Sequence, residues 1–154
     1  MPGLGGHNMS TYVDKIKCLK TRKDAILPSK TRISDTGYDL TILEKIKEIG
    51  DVSFYTTGIK IQPPFGWAVE IRARSSIAKT GYMLANGVGT IDRTYLGEVI
   101  IALRKVDKTM ADIKLPCRFA QMIPVPVQHL EIIEVNELSA TDRGDGGFGS
   151  TGVE

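Results

Sequence analysis

WAVEIRARS, Trp67 to Ser75, decides the fold. Trp67, Val69, Ile71 and Ala73 alternate with Glu70, Arg72 and Arg74, the two-residue period of a strand with one face on a core. Neighbouring stretches share its character. VSFYTTGIKI, Val52 to Ile61, is rich in β-branched and aromatic residues and is stopped by Pro63-Pro64. GEVIIALRKV, Gly97 to Val106, is a nearly continuous apolar run, which reads as a strand buried on both faces. FAQMIPVPV (119–127) and LEIIEV (130–135) read as further strands, with prolines suited to edges or bulges. One stretch is ambiguous. LTILEKIKEIG (40–50) spaces Leu43, Ile46 and Ile49 as a helix would, with Gly50 as its cap; the competing reading, a strand LTIL followed by a loop, is preferred. Many short strands separated by Gly and Pro turns predict an all-β sandwich, barrel or jelly roll.

The chain has 154 residues, enough for one domain with a real core and too few for two. Acids and bases nearly cancel, at a formal net charge of +2, and charges are interspersed. That balance gives no reason to expect nucleic-acid or membrane binding. No apolar run approaches the roughly 20 residues of a membrane span, and no signal peptide is recognisable, so a soluble intracellular protein is expected, cytoplasm and nucleus not being distinguished. Cys18 and Cys117 lie far apart, outside any metal-ligand spacing, and read as reduced packing cysteines. Residues 1–9 read as a flexible leader, 10–138 as the β domain, and 139–154, where the apolar pattern gives way to glycine, as a mobile C-terminal arm.

With only His7 and His129 available, a Ser-His-Asp triad is disfavoured, and no His/Cys cluster could hold zinc. Chemistry would fall to carboxylates, arginines, serines and backbone amides, which occur in five islands. DTGYDL (35–40) is a plain turn or a turn whose carboxylates, Asp35 and Asp39, face a hydrated Mg²⁺. RSSIAKTG (74–81) is a capped, solvated turn or a set of hydroxyls and amides receiving phosphate oxygens. NGVGTIDRTYLGE (86–98) is a β-hairpin that is either purely structural or wraps a flat heterocycle and sugar. RFAQ (118–121) means little alone, and RGDGGFGSTG (143–152) alone would be a frayed end.

Taken in order, these five islands resemble the five motifs of the trimeric deoxyuridine triphosphatases, the dUTPases. The resemblance runs from Asp35 to Gly152. It implies a jelly-roll-like β-barrel subunit with a flexible glycine-rich arm, assembled as a homotrimer with sites at subunit boundaries. It implies Mg²⁺-dependent hydrolysis of dUTP to dUMP and pyrophosphate at the α-phosphorus, which keeps uracil out of DNA and supplies dUMP for dTMP synthesis. By the same resemblance Asp92 is the catalytic aspartate that orients the water. Asp39 contacts Mg²⁺ through water. Arg74, Ser75, Ser76, Gln121, Arg143, Gly147, Ser150 and Thr151 bind phosphates, those of the second motif serving a neighbouring chain's substrate. Asn86, Gly89, Thr90, Ile91, Tyr95 and Phe148 hold uracil and deoxyribose. Two positions depart from the family pattern: threonine replaces a common alanine in DTGYDL, and Leu96 stands where many members carry arginine. A dCTP deaminase of the same fold fits less well, because the TID-xx-Y-x-G and GGFGSTG stretches resemble the hydrolase. A dUTPase-like regulatory binding protein is the other alternative.

Overall fold

The computed structural model describes residues 14–152. The flexible leader expected at 1–9 lies outside the described residues. In chain order the strands are β1 (Lys17–Lys20), β2 (Tyr38–Ile42), β3 (Glu44–Ile49), β4 (Val52–Gln62), β5 (Trp67–Ala73), β6 (Tyr82–Leu84), β7 (Gly89–Ile91), β8 (Glu98–Lys105) and β9 (Cys117–Pro126), with a short 3-10 helix at Ser75–Lys79. They form two antiparallel sheets. One runs β1-β4-β8-β6, with β3 also paired to β4; the other runs β2-β9-β5-β7. No helix among the described residues is long and apolar enough to cross a membrane.

The sheets face each other across one core. Leu40 and Ile42 (β2), Val69 and Ile71 (β5) and Ala120 and Met122 (β9) meet Tyr55, Ile59 and Ile61 (β4) and Val99, Ile101 and Leu103 (β8). The alternation of WAVEIRA is realised: Val69 and Ile71 are buried, Arg72 is exposed and Glu70 half-buried. In β8 the expectation of burial on both faces is corrected. Val99, Ile101 and Leu103 are buried, while Ile100 and Ala102 are only half-covered. The apolar run is one core face plus a second, partly open face, as an antiparallel sandwich allows.

LTILEKIKEIG is neither a helix nor a strand with a loop. It is two strands broken at Leu43, the second pairing with β4 from Glu44↔Thr56 to Ile49↔Val52. Gly50, at φ +60°, is the first residue of the two-residue hairpin turn, where only a left-handed conformation fits the strand twist. Helical spacing of Ile46 and Ile49 misled because both stand exposed on an edge strand. The prolines of β9 do sit at an edge. Pairing with β2 ends at Tyr38↔Met122, whereas pairing with β5 continues to Trp67↔Pro126. Pro124 and Pro126 thus flank a side where β2 no longer needs a donor.

LEIIEV forms no strand. Val127 N–H bonds to Gly66 O at 2.8 Å and His129 stacks on Phe65 at 5.4 Å. Beyond them the chain leaves the body, with Leu130, Ile132 and Leu138 exposed at 79, 97 and 87 %. Its own sheets offer this segment no described partner, and a strand needs one. Both cysteines are free thiols, half-buried against the core. Burial raises the Cys18 thiol pKa and pushes that of Cys117 up to about 11, which suits packing and not reactivity.

Leu103→Ala, at a fully buried position, should cost about 2–5 kcal/mol of stability, whereas Ile49→Ala on the exposed edge should change it by less than about 0.5 kcal/mol. Denaturant unfolding of the two variants checks this.

Candidate active site

Two groups of the expected residues come together, one on the outer face of the β2-β9-β5-β7 sheet and one around the open edge of β8 in the other sheet. The first group is on the outer face of the β2-β9-β5-β7 sheet. Asp39 lies opposite Gln121, and Gln121 opposite Arg72, so all three point away from the core that Leu40, Ile71 and Ala120 enter. Asp39 accepts an ion pair from Arg74 Nε at 2.9 Å, with its side chain 19 % exposed. Arg74 Nη1 also donates to Arg118 O at 2.7 Å, and its backbone N–H to Phe119 O at 2.8 Å. The guanidinium is therefore aimed by β2 and β9 together. Gln121 Nε2 donates to Ala73 O at 3.1 Å.

Arg74 is also the N-cap of the 3-10 helix, and Ser75 and Ser76 are its first residues. Ser75 is exposed. Ser76 Oγ is buried with no hydrogen-bond partner among the described residues, an unusual state for a hydroxyl and one that a bound acceptor would relieve. Beside the Arg72–Glu70 ion pair on the same face, the set has one guanidinium, hydroxyls, an amide and a single carboxylate, which is the composition of a phosphate cradle with room for a hydrated cation. Among the described residues no cluster of three or more His, Cys, Asp or Glu could hold a metal unaided.

Asp35 has a different place. Its carboxylate accepts from Arg32 N–H at 3.0 Å and closes its own turn. The plain-turn reading of that residue holds. Gly37 was read only as part of the turn, but it has a stricter role: a Cβ there would collide with the Gln121 carboxamide. The signal was in DTGYDL, yet the partner lies far along the chain and no local pattern names it.

The second group lines a cavity of about 180 Å³ at an open edge of β8. β6 pairs with β8 only down to Leu84↔Leu103, and Ala85 N–H adds a last bond to Ala102 O at 2.9 Å. Past that point the chain turns away through Asn86 and Gly87 and enters the other sheet as β7, paired with β5. The hairpin expected at 86–98 is therefore corrected to a crossover: its two arms, β7 and the start of β8, do not pair with each other but belong to different sheets. The consequence serves the same end, since the β8 backbone is left uncovered toward the cavity. Asn86, Gly89, Thr90, Ile91 and Tyr95 all line it. Gly89 permits the narrow waist, because a Cβ there would come to 3.1 Å from Asn86 Nδ2 and 3.3 Å from Ile71 Cβ. Ile91 is 7 % exposed and packs in the core while also lining the cavity.

Asp92 follows β7 directly and is exposed; its carbonyl accepts Tyr95 N–H at 3.0 Å. It borders an adjoining hollow of about 320 Å³ with Phe65, Trp67, Arg93 and His129, and not the 180 Å³ cavity itself.

The third group is not brought to either. Arg143 Nε bonds only to Gly146 O at 2.8 Å, Ser150 N–H to Gly147 O at 3.1 Å, and Phe148 is fully exposed at φ +49°. Gly147 and Thr151 are exposed as well.

A protein-family model described as dUTPase matches residues 23–152. The chain is 41 % identical over 140 residues to the deoxyuridine 5'-triphosphate nucleotidohydrolase of Nautilia profundicola, covering 90 % of this chain and 99 % of that one. It is 38 % identical, at the same coverage, to the enzyme of that name from Picosynechococcus sp.. In fold it is similar to a dUTPase of Staphylococcus bacteriophage 80alpha solved with dUpNHpp, at a TM-score of 0.76 and 24 % identity over 90 % of this chain and 99 % of that one. It is also similar to a dUTPase of phage phi11 of S. aureus, described with a structural Mg(II) ion, at a TM-score of 0.70 and 18 % identity over 82 % of this chain and 99 % of that one. The family match spans both residue groups and the arm, and with the paired sheets that carry them it shows that the chain belongs to the dUTPase family.

Proposed function

We propose that the protein hydrolyses dUTP to dUMP and pyrophosphate in sites shared between copies of a homotrimer. The observation that carries this reading is the opposition of the two groups. Asp39, Arg74 and Gln121 point outward from the sheet, while Asn86, Gly89 and Tyr95 line a cavity at the other sheet's edge. On this reading the two sets that hold one small nucleotide come from different chains. The segment leading into the arm supports association: Leu130, Ile132, Ile133 and Leu138 are apolar residues that no other described residue covers. The body offers a complementary apolar hollow of about 500 Å³, lined by Ile16, Leu27, Tyr38, Trp67 and Met122 among others.

Uracil would enter the cavity beside Asn86 and the open β8 backbone, where N–H and C=O groups can read its edge. Gly89, without a side chain, lets its backbone close on the base edge, so dTTP is rejected by contact rather than by weak apolar preference. The Tyr95 ring lies under the deoxyribose and takes the space of a 2′-hydroxyl. Arg74, Ser75 and Ser76 of a neighbouring copy receive phosphate oxygens, and Ser76 Oγ gains the partner it lacks. Asp39 would contact, through water, a Mg²⁺ carried in by the triphosphate, and Gln121 would lie beside the phosphates. When bound, that ion supplies charge neutralisation on the phosphates.

Asp92 holds a water in line with the α-phosphorus and accepts its proton as the new P–O bond forms. The bond from the α-phosphorus to the bridging oxygen breaks, and pyrophosphate leaves with that electron pair. The arm closes last, with Arg143 on the γ-phosphate, Phe148 over the uracil, and Gly147, Ser150 and Thr151 around the phosphates. Ordering glycine costs roughly 1–2 kcal/mol per residue, so closure depends on bound triphosphate.

Asp92→Asn should lower kcat by about 10²- to 10⁴-fold. Arg74→Ala should also be nearly inactive. Co-refolded mixtures of the two should regain activity, because some sites then combine an intact Asp92 from one copy with an intact Arg74 from another; a mixture as inactive as its parents refutes the shared site. Truncation after Leu138 should leave the assembled β body intact by light scattering, with most dUTP hydrolysis lost. Full activity of the truncated chain refutes the lid.

A further inference from the structure

Tyr95 does not hold its orientation by packing alone, since it is 47 % exposed. Its hydroxyl donates to the backbone carbonyl of Glu98 at 2.9 Å, and the ring folds back over Gly97, where any Cβ would collide with it. The position of the Glu98 backbone therefore sets the tilt of the ring. That backbone is tied in turn through its own side chain. Glu98 Oε1 accepts from Thr56 Oγ1 and from Gly58 N–H, the latter at 3.0 Å, and Gly58 N–H also reaches Thr56 Oγ1 at 3.0 Å.

The donors are presented by an irregularity in β4. Four steps along that strand, Thr56 to Lys60, match two along β8, Ile100 to Glu98. The surplus makes a bulge, with Gly58 at φ +68°. The bulge is clamped from outside. Thr21 N–H bonds to Gly58 O at 2.8 Å, and a Cβ on Gly58 would lie 2.7 Å from Arg22 Cγ and 2.9 Å from Ala25 Cβ. Arg22 is itself held by Asp24 and Glu44, at 2.7 and 2.8 Å. A regular strand would present a ladder N–H to β8. The bulge presents it to a carboxylate instead. Tyr95 and Glu98 both line the 180 Å³ cavity.

We propose that Glu98 is a positioning residue for sugar discrimination: anchored to the β4 bulge by Thr56 and Gly58, it fixes the Tyr95 ring in the plane that excludes a 2′-hydroxyl. This rests on the reading of Tyr95 as the platform under the deoxyribose. Glu98 touches no reacting atom. Its loss acts on the choice between dUTP and UTP and on KM, and leaves the in-line attack steered by Asp92.

The test compares kcat/KM for dUTP and UTP in the full-length protein, with circular dichroism as a check of folding. Glu98→Ala should reduce the dUTP preference roughly tenfold, mostly through a higher KM for dUTP with kcat little changed. Glu98→Gln should restore it, because the amide oxygen accepts the same two donors. Thr56→Val, which removes one donor at nearly constant volume, should fall between them and carries the test if Glu98→Ala fails to fold. Combining Glu98→Ala with Tyr95→Phe should cost no more preference than the larger single effect, since both cut one chain of contacts. Loss of kcat with an unchanged dUTP/UTP ratio in Glu98→Ala or Thr56→Val overturns the proposal, as does failure of Glu98→Gln to rescue. Tyr95→Ala is run beside them. If it keeps the preference, the platform reading itself fails; if it loses the preference while Glu98→Ala keeps it, the positioning role alone fails.

Discussion

The register between β5 and β9 is the constraint on which the rest depends. Ile71↔Met122 and Arg72↔Gln121 are adjacent pairs, the first facing the core and the second facing out. Because side chains alternate with a period of two, a slip of one residue would exchange them, burying a guanidinium and an amide and exposing the core. The hydrophobic effect thus fixes the register, and the register places the polar group. Arg74 inherits its outward direction from β5, Gln121 from β9 and Asp39 from β2. No interaction among these polar residues needs to be strong to hold them in place, and the Asp39–Arg74 pair, partly open to solvent, trims the aim of side chains that the core has already positioned.

The cavity at the other sheet's edge is organised by what is missing. β8 loses its neighbour below Leu103, and the backbone edge left there belongs to the cavity. Edges of this kind invite indiscriminate pairing. Here the crossover through Asn86 and Gly87 roofs the edge and leaves a slot shaped for something small and flat. Two irregularities of the β1-β4-β8-β6 sheet, the early end of β6 and the bulge opposite β8 in β4, lie on either side of β8 and act on the same slot. One opens it, and the other furnishes the donors that tie down its wall at Glu98.

The fold was legible where burial imposed alternation. Val69, Ile71 and Arg72 fell where WAVEIRARS put them, and the all-β sandwich followed. Legibility failed where apolar residues face solvent in the isolated chain. Ile46 and Ile49 mimicked a helix because periodicity assumes that apolar side chains are buried, and on β3 they are not. LEIIEV was read as a strand of this chain for the same reason; the pattern is that of a strand, but its partner is not among the chain's own sheets. The residues around the cavity were found through their order along the chain, and that order hid the crossover, since adjacency in sequence says nothing of which sheet an arm joins. Gly37 against Gln121 and Gly58 against Arg22 were beyond reach altogether, because each glycine answers to a side chain brought up by the tertiary fold.

β3 has one further consequence. EKIKEI is an edge strand, exposed along its whole length, with Lys45 bonded to Glu48 and Lys47 set over the Phe54 ring, and its ladder is broken between Lys45 and Lys47. Charge and a bulge on a sheet edge are what keep stray strands from adding to it. A molecule whose carboxyl-terminal segment carries unsatisfied β-forming residues would otherwise be its own worst contaminant, able to polymerise by handing that segment to any free edge. By spoiling this edge the sequence removes one open-ended route of strand addition, a safeguard that falls to the least conspicuous strand in the fold.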